Sequence, residues 1–138
     1  MLRVLNLLAF SSLASALLVG CGKDEACTKA RLKGADDWKG VYEQAGKLKL
    51  NGGAEFDELT QDKQAEHTRA LEAVETQSEM VFKSFAYEKI TWGTAAPARD
   101  KANQAFDAFF NKDKYPGFAG SLKAANAQFD AVKAACGE

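Results

Sequence analysis

Apolar side chains recur along this chain at spacings of three and four, the period of helices. Nowhere do apolar and polar residues alternate in the period of two that a half-buried strand shows. Between about Asp24 and Leu50, the positions Cys27, Ala30, Gly34, Trp38, Val41, Tyr42, Ala45 and Leu48 form one stripe at 100° per residue. Asn51-Gly52-Gly53 ends that helix, because glycine takes the left-handed conformation common after a helix C-terminus. A second segment runs from about Asp57 to Trp92, with His67, Ala70, Leu71, Val74, Ser78, Val81, Phe82 and Phe85 on its stripe. Asp62, Glu66, Arg69, Glu72 and Glu75 lie outside the stripe, so the pattern predicts a long helical segment of about 50 Å, either continuous or kinked or broken along its length. Gly93-Thr94 is its expected end. A third helix is expected to begin near Pro97, whose missing N–H is no loss in a first turn, with Ala102, Ala105, Phe106, Phe109 and Phe110 as its stripe. After a loop from Asn111 to Gly117, the positions Phe118, Leu122, Ala125, Phe129, Val132 and Cys136 step by four and three in a heptad seam.

The first twenty residues follow other rules. Arg3 is the only charge in them, and Val4 to Gly22 carries none. Asn6, Ser11, Ser12 and Ser15 dilute the apolar run, which just reaches the length of about 20 residues that a membrane span needs. One positive charge, an apolar stretch and small residues at its end read as an export signal over residues 1–20. That end, Leu18-Val19-Gly20-Cys21, resembles the lipobox of bacterial lipoproteins. The resemblance covers only this segment. It implies that the signal is cut before Cys21 and that Cys21 carries the acyl chains (palmitate or similar) as the first mature residue. Several chains would anchor the protein durably, where one anchors only marginally. Gly22, rather than Asp, follows the cysteine, which by the same resemblance favours the periplasmic face of the outer membrane. Residues 21–26 would then be a tether of under roughly 20 Å, and 27–138 the folded domain.

With Cys21 acylated, Cys27 and Cys136 remain. Export to an oxidising compartment predicts that they pair. Free thiols or metal ligands are the alternative, but two cysteines with one histidine and no C-x-x-C spacing make a poor zinc site. Four amphipathic segments joined by short loops predict an all-α fold, a small antiparallel four-helix bundle. In an up-down-up-down bundle the start of the first helix and the end of the last share one end, which is where the two cysteines fall. A three-helix arrangement with a short lateral third piece is the competing topology.

Composition narrows the function. The 18 basic and 19 acidic residues give a net charge of −1, or −2 once Arg3 leaves with the signal, which argues against nucleic-acid binding. Leu, Ile, Val and Phe supply only 19 of the 118 residues after Gly20, while alanine supplies 22, a composition suited to closely packed helices. The core is lean, so a disulfide closing a loop of about 110 residues is a useful staple.

No catalytic pattern stands out. His67 is the only histidine, and it is expected to be a half-buried helix residue near the bundle surface. It cannot share a haem iron with Met80, thirteen residues and about 20 Å further along the same helix and on its opposite face. There is no H-E-x-x-H, G-x-S-x-G or phosphate-binding glycine loop, and no metal or cofactor is expected. Asp36-Asp37 points in two directions about 100° apart and reads as solvated surface. The phenylalanine stripes read as core. Met80 and Tyr87 are seven residues apart on the face opposite the core stripe. Together with Trp92 they form a candidate patch for a partner. The expected function is therefore non-enzymatic: a lipid-anchored envelope protein that binds another envelope protein. The alternative is a carrier or sensor of a small apolar ligand held by the bundle.

Overall fold

In a computed structural model the described residues form four helices: α1 (Leu2–Asn51), α2 (Gln61–Ala86), α3 (Trp92–Phe109) and α4 (Pro116–Cys136). One 3-10 turn, Phe56–Glu58, precedes α2. Side chains are described for residues 24–53 and 55–137, so the expected export signal over residues 1–20 and Cys21 lie outside the described residues. Among the described residues there is no strand, and no helix is long and apolar enough to cross a membrane.

The helices form an antiparallel bundle. The backbone of α1 lies close against α2 and α4, and α2 lies close against α3. Small residues permit this approach. Gly34 of α1 is buried where an added Cβ would sit 2.8 Å from Phe85 of α2 and 3.0 Å from Val132 of α4. On α3, Ala95, Ala98 and Ala102 are buried in the same way. The α3–α4 seam is wider and is spanned by long side chains. Phe106 meets Phe118 edge-on at 5.2 Å, the Arg99 guanidinium lies 4.2 Å over the Phe129 ring, and Asn103 and Asn126 exchange two amide hydrogen bonds of 2.9 and 2.7 Å. Trp38, Leu71, Phe85, Phe129 and Val132 fill the centre and are fully buried.

The disulfide joins Cys27 to Cys136, tying α1 to the end of α4 as the sequence predicted. The predicted ending of α1 also holds: Gly52 and Gly53 have φ of +79° and +75°, where side-chain-bearing residues are strained.

Two boundaries differ from the sequence reading. The helical segment over Asp57–Trp92 is broken rather than continuous. It begins at Gln61, after the N-cap Thr60, and stops at Ala86, with Tyr87 extended at its C-cap. The break has a tertiary cause. Arg31 of α1 donates from Nη1 to the Phe85 carbonyl at 2.8 Å, satisfying one of the carbonyls that the end of α2 exposes. Trp92 then turns inward onto Phe85 and Phe129, with ring centroids 6.0 and 5.6 Å away. The second difference follows from the first. Gly93-Thr94 belongs to the first turn of α3 rather than ending α2, and Pro97 sits inside α3 rather than at its start. The α3 start is set by the Thr91 carbonyl, which accepts from the N–H groups of Thr94 and Ala95.

Candidate interaction sites at the two ends of the bundle

At the disulfide end, Arg31 and Trp92 close the bundle below Cys27–Cys136. Arg31 is buried against the end of α2, and its cationic head complements the negative end of that helix. It borders a cleft that Asp24, Thr28 and Glu88 also line, so the rim of that cleft carries carboxylates as well as the guanidinium. Trp92 donates from Nε1 to the Gly137 carbonyl at 3.1 Å. Sequence reasoning missed Arg31. The signal available was its place next to Ala30 on the edge of the apolar stripe, where a lone arginine can bury its stem and cap a neighbouring helix.

The three residues of the expected patch separate here. Met80 and Tyr87 are exposed, at 39% and 69% of their surface. Trp92 is not a surface residue of the same kind, because its ring is packed between α2 and α4 and its N–H is engaged. The reason is the break at Tyr87: the chain leaves the helix there, so the seven-residue spacing no longer sets which way Trp92 points. A different apolar surface lies beside Tyr87. Leu32 is 51% exposed, and together with Ala35, Phe82 and Ala86 it lines a groove of 480 Å³ between α1 and α2, with Asp36 and Lys39 at its edge. Phe82 is steadied by an edge-on contact with Tyr42 at 5.4 Å.

At the far end lies His67. The sequence reading placed it half-buried near the surface, and the structure corrects this: it is 1% exposed, enclosed by rings. Phe56, Phe109, Phe110 and Tyr115 surround it, with centroids 5.3, 5.2, 5.3 and 6.4 Å away. The loops before α2 and after α3 fold over the side chain, a tertiary event with no trace in helical spacing. Its Nε2 is 3.4 Å from the Tyr115 hydroxyl, and its Nδ1 has no hydrogen-bond partner among the described residues. Burial pushes its pKa below the ordinary histidine value, so the imidazole is neutral at pH 7. Enclosed in this way, it cannot reach a substrate in solution.

Tyr115 joins the cage to the surface. Its ring rests on Gly53, where an added Cβ would lie 3.0 Å from it. Burial raises its hydroxyl pKa, and the nearby Glu55 carboxylate adds to the rise. Lys114 is ion-paired with Glu55 beside it. On its outer side Tyr115 forms one wall of a 340 Å³ cleft between α1 and the start of α4, with Gln44, Lys47, Leu48, Gly117 and Phe118.

No group of three or more His, Cys, Asp or Glu side chains able to hold a metal occurs among the described residues. Set against protein-family models, curated proteins and solved structures, the chain matches none.

Proposed function

We propose that this protein is a lipid-anchored binding protein of the bacterial cell envelope. Its signal over residues 1–20 is removed, Cys21 is acylated, and the bundle stands on the periplasmic face of the outer membrane. There it docks another envelope protein, in an adaptor, assembly, inhibitory or immunity-type role, and carries out no chemistry of its own.

The observation that carries this reading is the placement of exposed apolar side chains near the disulfide end. Leu32, half-exposed, lines the α1–α2 groove with the apolar Ala35, Phe82 and Ala86, and the exposed Tyr87 follows Ala86 in the chain. Single exposed apolar residues are ordinary on a protein surface, but a groove lined by an exposed Leu and a partly exposed Phe has the make-up of a partner site. The Cys27–Cys136 bridge supports the exported setting, since such bonds persist in oxidising compartments. A tether as short as residues 21–26 keeps the groove near the membrane, within reach of other envelope proteins.

Photo-crosslinking in cells tests it. A photoreactive residue at Leu32, Met80 or Tyr87 is expected to give a discrete protein adduct, and one at the exposed Lys101 of α3 is not. Adducts of equal yield at all positions, or none at Leu32 and Tyr87, would remove the partner reading. A second reading, a carrier or sensor of a small ligand, has one observation in its favour: the cleft beside Tyr115.

A further inference from the structure

We infer that the cleft between α1 and the start of α4 is a binding site for a small single-chain amphipathic carboxylate, with its acyl or aryl part on Leu48 and Phe118 and its carboxylate at Lys47. This site stands apart from the α1–α2 groove and depends neither on the lipid anchor nor on a partner protein.

The lining has the make-up of a small-ligand site, a mostly apolar surface with a few polar groups at fixed places. Its 340 Å³ lies at the small end of the range of about 300–1,000 Å³ found for such sites. Leu48, Phe118 and the face of Tyr115 provide the apolar surface. Phe118 is held by Phe106 and Phe110, with centroids 5.2 and 5.6 Å away, and Tyr115 is held by Gly53 and the His67 cage. These walls are therefore formed before any ligand arrives, which lowers the entropy lost on binding.

Charge selects the class of ligand. Two lysines, Lys47 and Lys114, border the cleft, and no carboxylate lines it. Lys114 is neutralised by Glu55, whereas Lys47 has no ion-pair partner among the described residues, and Glu43, one turn earlier on α1, does not pair with it. Lys47 is the cation of the cleft lining that carries no ion pair among the described residues. Gln44 is anchored to Ser121 at 2.6 Å, leaving its carbonyl oxygen as an acceptor beside Lys47. The first turn of α4 begins with no side-chain cap, so its dipole adds to the preference for an anion at this end of the cleft. A neutral lipid would gain nothing from Lys47, and an amine would be repelled by it.

Gly117 provides a test that separates loss of the site from loss of the fold. It borders the cleft, and a Cβ added there meets nothing within 4 Å. Gly117→Leu places a larger side chain at the border of the cleft, starting from open space at its Cβ, and it removes a glycine from a helical position, which favours the helix.

The purified full chain is titrated with octanoate and followed by the backbone amide signals of Gln44, Leu48, Gly117 and Phe118. Saturable shifts confined to this end are expected, with a Kd on the order of 0.1–1 mM for a ligand of this size. Lys47→Glu is expected to weaken binding about fivefold. Gly117→Leu is expected to abolish it with the melting temperature unchanged or higher. The inference is overturned if octanoate gives no saturable shift, if octylamine binds as tightly, or if Gly117→Leu melts normally and still binds.

Discussion

The ring of His67 stands edge-on to the ring of Phe109, centroids 5.2 Å apart and planes at 81°, and the Tyr115 hydroxyl, 3.4 Å from Nε2, is its hydrogen-bond partner among the described residues. A charged imidazole has no carboxylate to meet in that cage. Burial accordingly holds the folded-state pKa below the unfolded value of about 6.5. The unfolded chain then binds the extra proton more readily than the folded one. The stability that His67 confers is complete above about pH 6.5 and declines as the pH falls below it, by at most about 1.4 kcal/mol per pH unit. Urea denaturation at pH 7.5 and 5.5 should show this fall in the wild type, and His67→Leu should remove most of it. An equal fall in the variant would assign the effect to other groups.

Gly34 faces Phe85 at a distance that leaves no space for a methyl group. An added Cβ would lie 2.8 Å from Phe85 Cδ2, and that ring is itself fully buried, so it has nowhere to move. Gly34→Ala should raise helix propensity by about 1 kcal/mol and still lose overall, because overpacking costs about 1–3 kcal/mol. A fall in melting temperature of about 5–10 °C is the expected outcome. A rise would mean that α1 and α2 can separate more easily than the packing indicates.

Cys27 and Cys136 are 109 positions apart and close the chain into one loop. Reduction, or Cys27→Ser with Cys136→Ser, should cost about 3–5 kcal/mol, chiefly by freeing the unfolded chain. Chemical denaturation with and without reductant measures it. Trp92 lies at the same end, so its fluorescence should also report local loosening when the bond is cut.

Asn103 and Asn126 satisfy one another across the wide α3–α4 seam. Asn103→Leu alone should cost about 1–2 kcal/mol, because it leaves the Asn126 amide without its partner. Asn126→Leu in addition should restore much of that loss. A double-mutant cycle is expected to give a coupling of about 0.5–1.5 kcal/mol, and simple additivity would show the pair to be independent.

The proposed anchor makes its own prediction. Cys21→Ser in the exporting cell should leave an uncut chain without fatty acid, read by intact mass. A cleaved, lipid-free product would overturn the lipoprotein reading while leaving the bundle and its cleft untouched.

Much of the fold was legible from spacing alone. The stripes Trp38–Val41–Ala45, Leu71–Val74–Ser78 and Leu122–Ala125–Phe129 are all buried, because a helix repeats every 3.6 residues and a core needs one face of it. The bond between Cys27 and Cys136 was expected from export, the antiparallel order from four segments with short loops, and the two expectations agree in placing both cysteines at one end of the bundle. Gly52 and Gly53 mark a real terminus because few other residues tolerate their backbone angles.

What spacing could not decide was every feature set by contact between elements distant in the chain. The break at Tyr87 depends on Arg31 reaching the Phe85 carbonyl and on Trp92 finding Phe129, partners 54 and 37 residues away. The enclosure of His67 depends on Phe56 and Tyr115, brought by two separate loops. The cleft is the gap left where α1 meets the start of α4, and a gap has no sequence pattern. Local periodicity determined which face of each helix is buried, since that follows from the geometry of a single helix. Only the tertiary structure decided where the helices stop and which side chains meet, because those outcomes depend on shape complementarity between surfaces that the sequence keeps far apart.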